Sequence, residues 1–203
     1  FDQILLSARH QHEIWVIDHS TTTEEAAGHT GGRSGKGGDL LYRYGNPEIY
    51  RAGNISDRQL FGQHDAQWIV EGCPGEDHIL LFNNGQGRPD GQYSSVDELI
   101  PPVDENGSYY LEPGSAYGPQ KPIWSYIADN PFDFFAGYLS SAQRLPNGNT
   151  LICDGDHGVF FEVTSEKKTV WMYHNTIPTP LTNQVFKILC YAPNYPGLQN
   201  LKP

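Results

Sequence analysis

Apolar residues in this chain come in short runs broken by glycine, proline, asparagine and aspartate, and helical periodicity is nearly absent. The runs also resemble one another. Residues 5–17, Leu5-Leu6-Ser7-Ala8-Arg9-His10-Gln11-His12-Glu13-Ile14-Trp15-Val16-Ile17, lie without a gap on residues 151–163. Both copies read as a strand, a polar turn and a second strand. A further pair starts at His64-Asp65-Ala66-Gln67 and at Ser140-Ser141-Ala142-Gln143. Each unit closes on an aromatic strand, at 40–44, 123–126 and 169–173. Self-similarity of this kind is the signature of a repeat architecture.

The repeating unit is four short strands, with Pro146-Asn147-Gly148 forming a first hairpin. That is the anatomy of a β-propeller blade. The expectation is an all-β chain, residues 1–203 forming a single domain, built of four-stranded antiparallel blades. Strands at 5–8, 13–18 and 40–44 share one blade, and one blade lacks its innermost strand. Insertions are expected at 18–39 and 85–121, and the run at 185–191 reads as one more strand. About three blades cannot close a ring, since propellers need at least about four. The chain is therefore expected to be the C-terminal part of a longer propeller, or to self-associate through open blade edges.

Composition agrees with this picture: 22 glycines, 15 prolines and 12% aromatic residues suit a turn-rich β protein. A net charge of −11 with only 13 lysines and arginines excludes a nucleic-acid binder, because the phosphate backbone would be repelled. No apolar run approaches the ~18 residues of a membrane-spanning helix. Cys73, Cys153 and Cys190 show no Cys-x-x-Cys spacing, which leaves buried thiols or one disulfide open. Sequons stand at Asn54 and Asn106.

Residues shared by the copies serve the fold, and residues found in one copy alone need another reason. Ala66-Gln67 recurs as Ala142-Gln143 and is architectural. His64 is replaced by Ser140 and His10 by Asp156, while Arg43 faces Ser125 and Met172. In a blade, the start of the innermost strand and the turn between second and third strands lie at the same end of the channel. His64 and His10 hold these two places, and Arg43 runs into a connection returning to that end. His10 and His12 alternate along the chain, a poor arrangement for zinc. The turn Asp154-Gly155-Asp156 offers hard oxygen ligands for calcium but too few of them; no other cofactor is expected. Gly31-Gly32-Arg33-Ser34-Gly35-Lys36-Gly37-Gly38 lacks the ending of a phosphate loop and reads as a flexible or ligand-covering loop.

In Ile4-Leu5-Leu6-Ser7-Ala8-Arg9-His10-Gln11, Tyr42-Arg43-Tyr44-Gly45, Gln63-His64-Asp65-Ala66-Gln67, Phe82-Asn83-Asn84-Gly85 and Arg144-Leu145-Pro146-Asn147-Gly148-Asn149-Thr150-Leu151, the chain resembles the arylsulfotransferase family. The resemblance implies a six-bladed propeller that moves a sulfuryl group from an aryl sulfate to a phenol without a nucleotide donor. It implies that His64 is the transiently sulfated nucleophile, and that His10 and Arg43 stabilise the sulfuryl oxygens. Asn83, Asn84 and Arg9 are expected to bind substrate. A periplasmic or extracellular location goes with this reading. The family's usual Trp-Arg-Leu-Gly is Tyr-Arg-Tyr-Gly here. The alternative is a non-catalytic extracellular propeller that acts as a binding or assembly module.

Overall fold

The computed structural model describes residues 1–179 and 181–199. Its strands form three antiparallel sheets, each a meander in chain order. The first holds β1 (Gln3–Ala8), β2 (Glu13–Asp18) and β3 (Tyr42–Tyr44). The second holds β4 (His64–Trp68), β5 (Ile79–Asn83), β6 (Ser95–Leu99) and β7 (Trp124–Tyr126). The third holds β8 (Ser141–Arg144), β9 (Thr150–Asp154), β10 (Val159–Val163) and β11 (Thr169–His174). One helical turn, α1 (Thr23–Ala26), and a few 3-10 turns are the helical structure among the described residues. The chain is all-β, and its sheets stack face to face as partial propeller blades.

The packing explains the lettering of the strands. Successive side chains of a strand point to opposite faces. On β5, Ile79 and Leu81 pack with Ile14, Val16 and Tyr42 of the first sheet. Leu80 and Phe82 pack the other way, with Ala142, Ile152 and Phe161 of the third. Both faces of β5 are thus covered, and it reads as an unbroken apolar run. β11, outermost in the third sheet, is exposed along its whole length.

Two stretches differ from expectation. The segment read as one insertion, 85–121, contains β6, so the long loop of this blade runs from 100 to 123. The sequence Ser95-Val96-Asp97-Glu98-Leu99 hides a strand because its two acids are buried rather than solvated. Asp97 accepts hydrogen bonds from Asn83 Nδ2 at 3.1 Å, Ser95 Oγ at 3.0 Å and Ser125 Oγ at 2.5 Å. Glu98 is held by His78 at 2.6 Å and by Arg144 of the third blade, also at 2.6 Å. The run at 185–191 is not a strand. It lies irregularly against β8, where Gln143 donates to Cys190 O at 3.0 Å and accepts from Cys190 N at 2.7 Å.

The glycine-rich loop stands where β2 ends, at the opposite end of the blade from the β1–β2 turn, so it does not cover His64. It wraps an anion of the chain itself. Asp18 accepts from Ser20 N at 2.8 Å, Ser20 Oγ at 2.5 Å and Ser34 N at 2.8 Å. Gly32, at φ +67°, passes so close that a Cβ there would lie 2.6 Å from Asp18 Oδ2. The 100–123 loop packs at this same end, where Tyr109 stacks on Tyr42 at 4.9 Å and donates to Gln3 Oε1 at 2.8 Å. Both long loops brace one end; the other carries the β1–β2 turn, the β5–β6 loop and the connections leading into β4 and β8.

Burial pushes the Asp18 carboxyl up, but the Ser20 and Ser34 hydrogen bonds outweigh it and hold the group below the usual carboxylate range. Its stabilisation is therefore present above the unfolded carboxyl's value near ~4 and fades as pH falls through the depressed native value. Asp18→Asn is expected to cost about 1–3 kcal/mol at neutral pH. Thermal melts of the two proteins should converge in strong acid; an undiminished melting temperature at pH 7 would show that the loop does not depend on this carboxylate.

Candidate functional site

The end of the blades at which β4 begins gathers five pieces of chain. These are the β1–β2 turn at 9–12, the approach to β4 at 62–64, the start of the β5–β6 loop at 84–86, the approach to β8 at 136–140, and the tail at 183–187. β4 opens on a bulge: its register shifts between His64 and Gln67, and Asp65 takes the left-handed φ of 53°. A bulge at the start of an inner strand re-aims the adjacent side chain, here His64. The His64 ring is half-buried, and its Nδ1 lies 2.7 Å from Asn84 Oδ1. The Phe186 ring stands nearly perpendicular to it, with centroids 6.4 Å apart. Asp65 accepts from Lys187 Nζ at 2.6 Å, Gln67 Nε2 at 2.9 Å and Ala142 N at 3.3 Å.

Burial holds His64 below the ordinary imidazole value. The Asn84 hydrogen bond opposes this, and the Arg9 guanidinium lowers it further. His12 is lowered too, by burial first and then by Arg58, Arg9 and His10. Its Nδ1 accepts from Gly62 N at 2.9 Å, so that nitrogen carries no proton. Arg9 thus acts on both histidines. One of its terminal nitrogens donates to Gln86 Oε1 at 3.2 Å, and its Nε is buried without a partner. Two neutral imidazoles beside a guanidinium make a site that attracts an anion while keeping its nitrogens nucleophilic.

The family model for arylsulfotransferase (ASST) matches residues 1–189 of the chain. The chain belongs to the arylsulfotransferase family. A search of curated proteins returns no match. Membership brings an arylsulfotransferase-like function, and no helix among the described residues is long and apolar enough to cross a membrane.

Within the chain, His64, Asn84 and Arg9 come together. His10 is exposed on the 3-10 turn Arg9–Gln11, beside Arg9 at the rim. Arg43 is not brought to the His64 ring. It sits on β3, two strands out from β1 and hence about 10 Å away in the sheet. Its Nε and a terminal nitrogen donate to the fully buried Glu13 at 2.9 and 2.5 Å, and its guanidinium lies 4.3 Å over Tyr50. Asn83 is not brought there either. Its amide accepts from Phe61 N at 2.9 Å and donates to Gln59 O and Asp97 at 3.0 and 3.1 Å. In the turn 154–156, Asp154 accepts from His157 N at 3.1 Å and Asp156 from Gly137 N at 3.3 Å. Among the described residues no group of three or more His, Cys, Asp or Glu is placed to hold a metal. Cys73, Cys153 and Cys190 are free thiols, the first two buried.

Sequence reasoning missed His12, Phe186 and Lys187 as neighbours of the site. His12 was readable only as the alternate of His10; its left-handed φ of 57° is what turns it toward Gly62. In an NMR titration of the protein, His64 should protonate below the free-imidazole value of ~6.5. Arg9→Gln should raise that value, because a positive neighbour is removed. A His64 that titrates at or above the free value would contradict this electrostatic picture.

Proposed function

We propose that this protein carries a sulfuryl group from an aryl sulfate to a phenol through a sulfated His64. The observation that carries the reading is a half-buried His64 whose Nδ1 lies 2.7 Å from Asn84 Oδ1, at a place where burial and the Arg9 guanidinium both disfavour its protonation. Neutral imidazole is a competent nucleophile near pH 7, and a covalent intermediate splits one hard transfer into two easier ones. Arg9 has the planar fork suited to two sulfuryl oxygens, and His10 adds a ring N–H at the rim. Arg43 supports the site from behind: it neutralises Glu13, whose carbonyl accepts from Gln63 Nε2 at 2.7 Å and so anchors the residue before His64. The donor is the aryl sulfate itself, so the reaction suits a periplasmic or extracellular setting where nucleotide donors are scarce.

With 4-nitrophenyl sulfate, turnover is expected only when a phenol acceptor is present, with ping-pong kinetics. Arg9→Gln should cost about 10²–10³-fold in kcat, the loss typical of one preorganised transition-state donor. Arg43→Lys should lower the melting temperature, since the two-point bond to Glu13 is lost. His64→Ala should keep the wild-type melt and lose all transfer. Undiminished transfer in a folded His64→Ala protein would sink the proposal.

A further inference from the structure

Asn84 is fully buried, and both polar atoms of its side chain and its backbone carbonyl have partners in fixed directions. Its Nδ2 donates to Ala136 O at 2.8 Å and Leu139 O at 3.1 Å, in the approach to β8. Its backbone carbonyl accepts from Ser94 Oγ at 2.8 Å, and Ser94 Oγ in turn accepts from Ala136 N at 2.9 Å, which fixes the backbone from which the amide projects. A flipped amide would set its oxygen against two carbonyl oxygens and leave both uncompensated. The amide therefore has one orientation, with Oδ1 facing the His64 ring. An oxygen that only accepts, 2.7 Å from Nδ1, requires the proton to be on Nδ1.

We infer that Asn84 is a positioning residue that locks His64 as the Nδ1–H tautomer, so that Nε2 is the atom that takes the sulfuryl group. This rests on the proposed function above and adds the reacting atom and its control. The Nε2 lone pair forms the N–S bond while the S–O bond to the aryl group breaks, and the electron pair leaves with the phenolate, which takes a proton from water. Nε2 gives up no proton, having none. The sulfated ring is an Nδ1–H cation, so the bond to Asn84 Oδ1 strengthens as charge develops. In the second half, the acceptor oxygen bonds to sulfur, the N–S pair returns to Nε2, and the phenol proton goes to water. A free imidazole mostly carries its proton on the other nitrogen and would present the wrong atom.

The first test is a tautomer measurement on the intact wild-type protein carrying ¹⁵N-labelled histidine, with His64 assigned by its loss in His64→Gln. The expected spectrum has a protonated Nδ1 and a bare Nε2 at neutral pH. A protonated Nε2 overturns the inference without any variant having to fold. The second test compares Asn84→Asp with Asn84→Leu. Asn84→Asp keeps the acceptor facing Nδ1, so the tautomer and measurable transfer should persist in the folded protein. That protein should melt at a lower temperature, because its second carboxyl oxygen faces the Ala136 and Leu139 carbonyls. Its new negative charge, set among Arg9, Asp65 and Lys187, should move the acid limb of the rate profile to higher pH, since His64 must be neutral to attack. Asn84→Leu should lose the tautomer lock and about 10²-fold or more in kcat with little change in KM, the kind of loss a wrong tautomer causes. An unshifted acid limb in a folded Asn84→Asp protein also counts against the role. Mass spectrometry of the wild-type protein quenched with donor alone separates the two readings. An unsulfated His64 removes the proposed function and leaves the tautomer result standing.

Discussion

The arrangement around His64 depends on one carboxylate, that of Asp65. Desolvating a carboxylate costs several kcal/mol unless it is paired and hydrogen-bonded. Asp65 meets this with donors from three places: Gln67 on its own strand, Ala142 N on the inner strand of the next blade, and Lys187 on the tail. Burial raises the group, and Lys187 opposes that. The same contacts stabilise the left-handed turn that aims His64, and they bring Phe186, the neighbour of Lys187, against the ring. Without a cation on Asp65, a negative charge would stand next to the nucleophile and repel an anionic substrate.

The recurring Ala-Gln pair has a concrete function in this frame. Gln67 Nε2 donates to Ala142 O of the next blade, and Gln143, its counterpart, donates to Cys190 O in the tail. The tail thus takes, against β8, the place that β8 takes against β4. It does so through side chains rather than a backbone ladder, which is why an apolar run at 185–191 could look like a strand and not be one.

What was legible followed from local rules. Alternation, turn residues and internal similarity were enough for the hairpins β1–β2 and β9–β10, and an unbroken apolar run marked the doubly covered β5. β6 escaped because buried acids read as surface, and only partners on other strands, His78, Arg144 and Ser125, make them tolerable. The site shows the same limit. His64, Arg9 and Asn84 stood in the stretches that carry the family resemblance. Arg43 stood there as well, but whether an arginine is available to a substrate depends on what already neutralises it. Glu13 lies thirty residues away in sequence, and nothing local announces the pair.

The sheets and the site differ in how far apart in sequence their parts lie. Each sheet is a chain of neighbouring hairpins. The mouth is closed by pairs such as Gly62 with His12, 50 residues apart, Asn84 with Ala136, 52 apart, and Lys187 with Asp65, 122 apart. Distant contacts form only after the chain between them has lost the freedom to wander, so they come late in folding. They are also few, and they hold turns and an irregular tail rather than strand cores. Such regions open at lower free energy than the strands behind them. Warming or mild denaturant should therefore release the tail and disorganise the histidine before the blades lose their ladders, so loss of chemistry would precede loss of β structure.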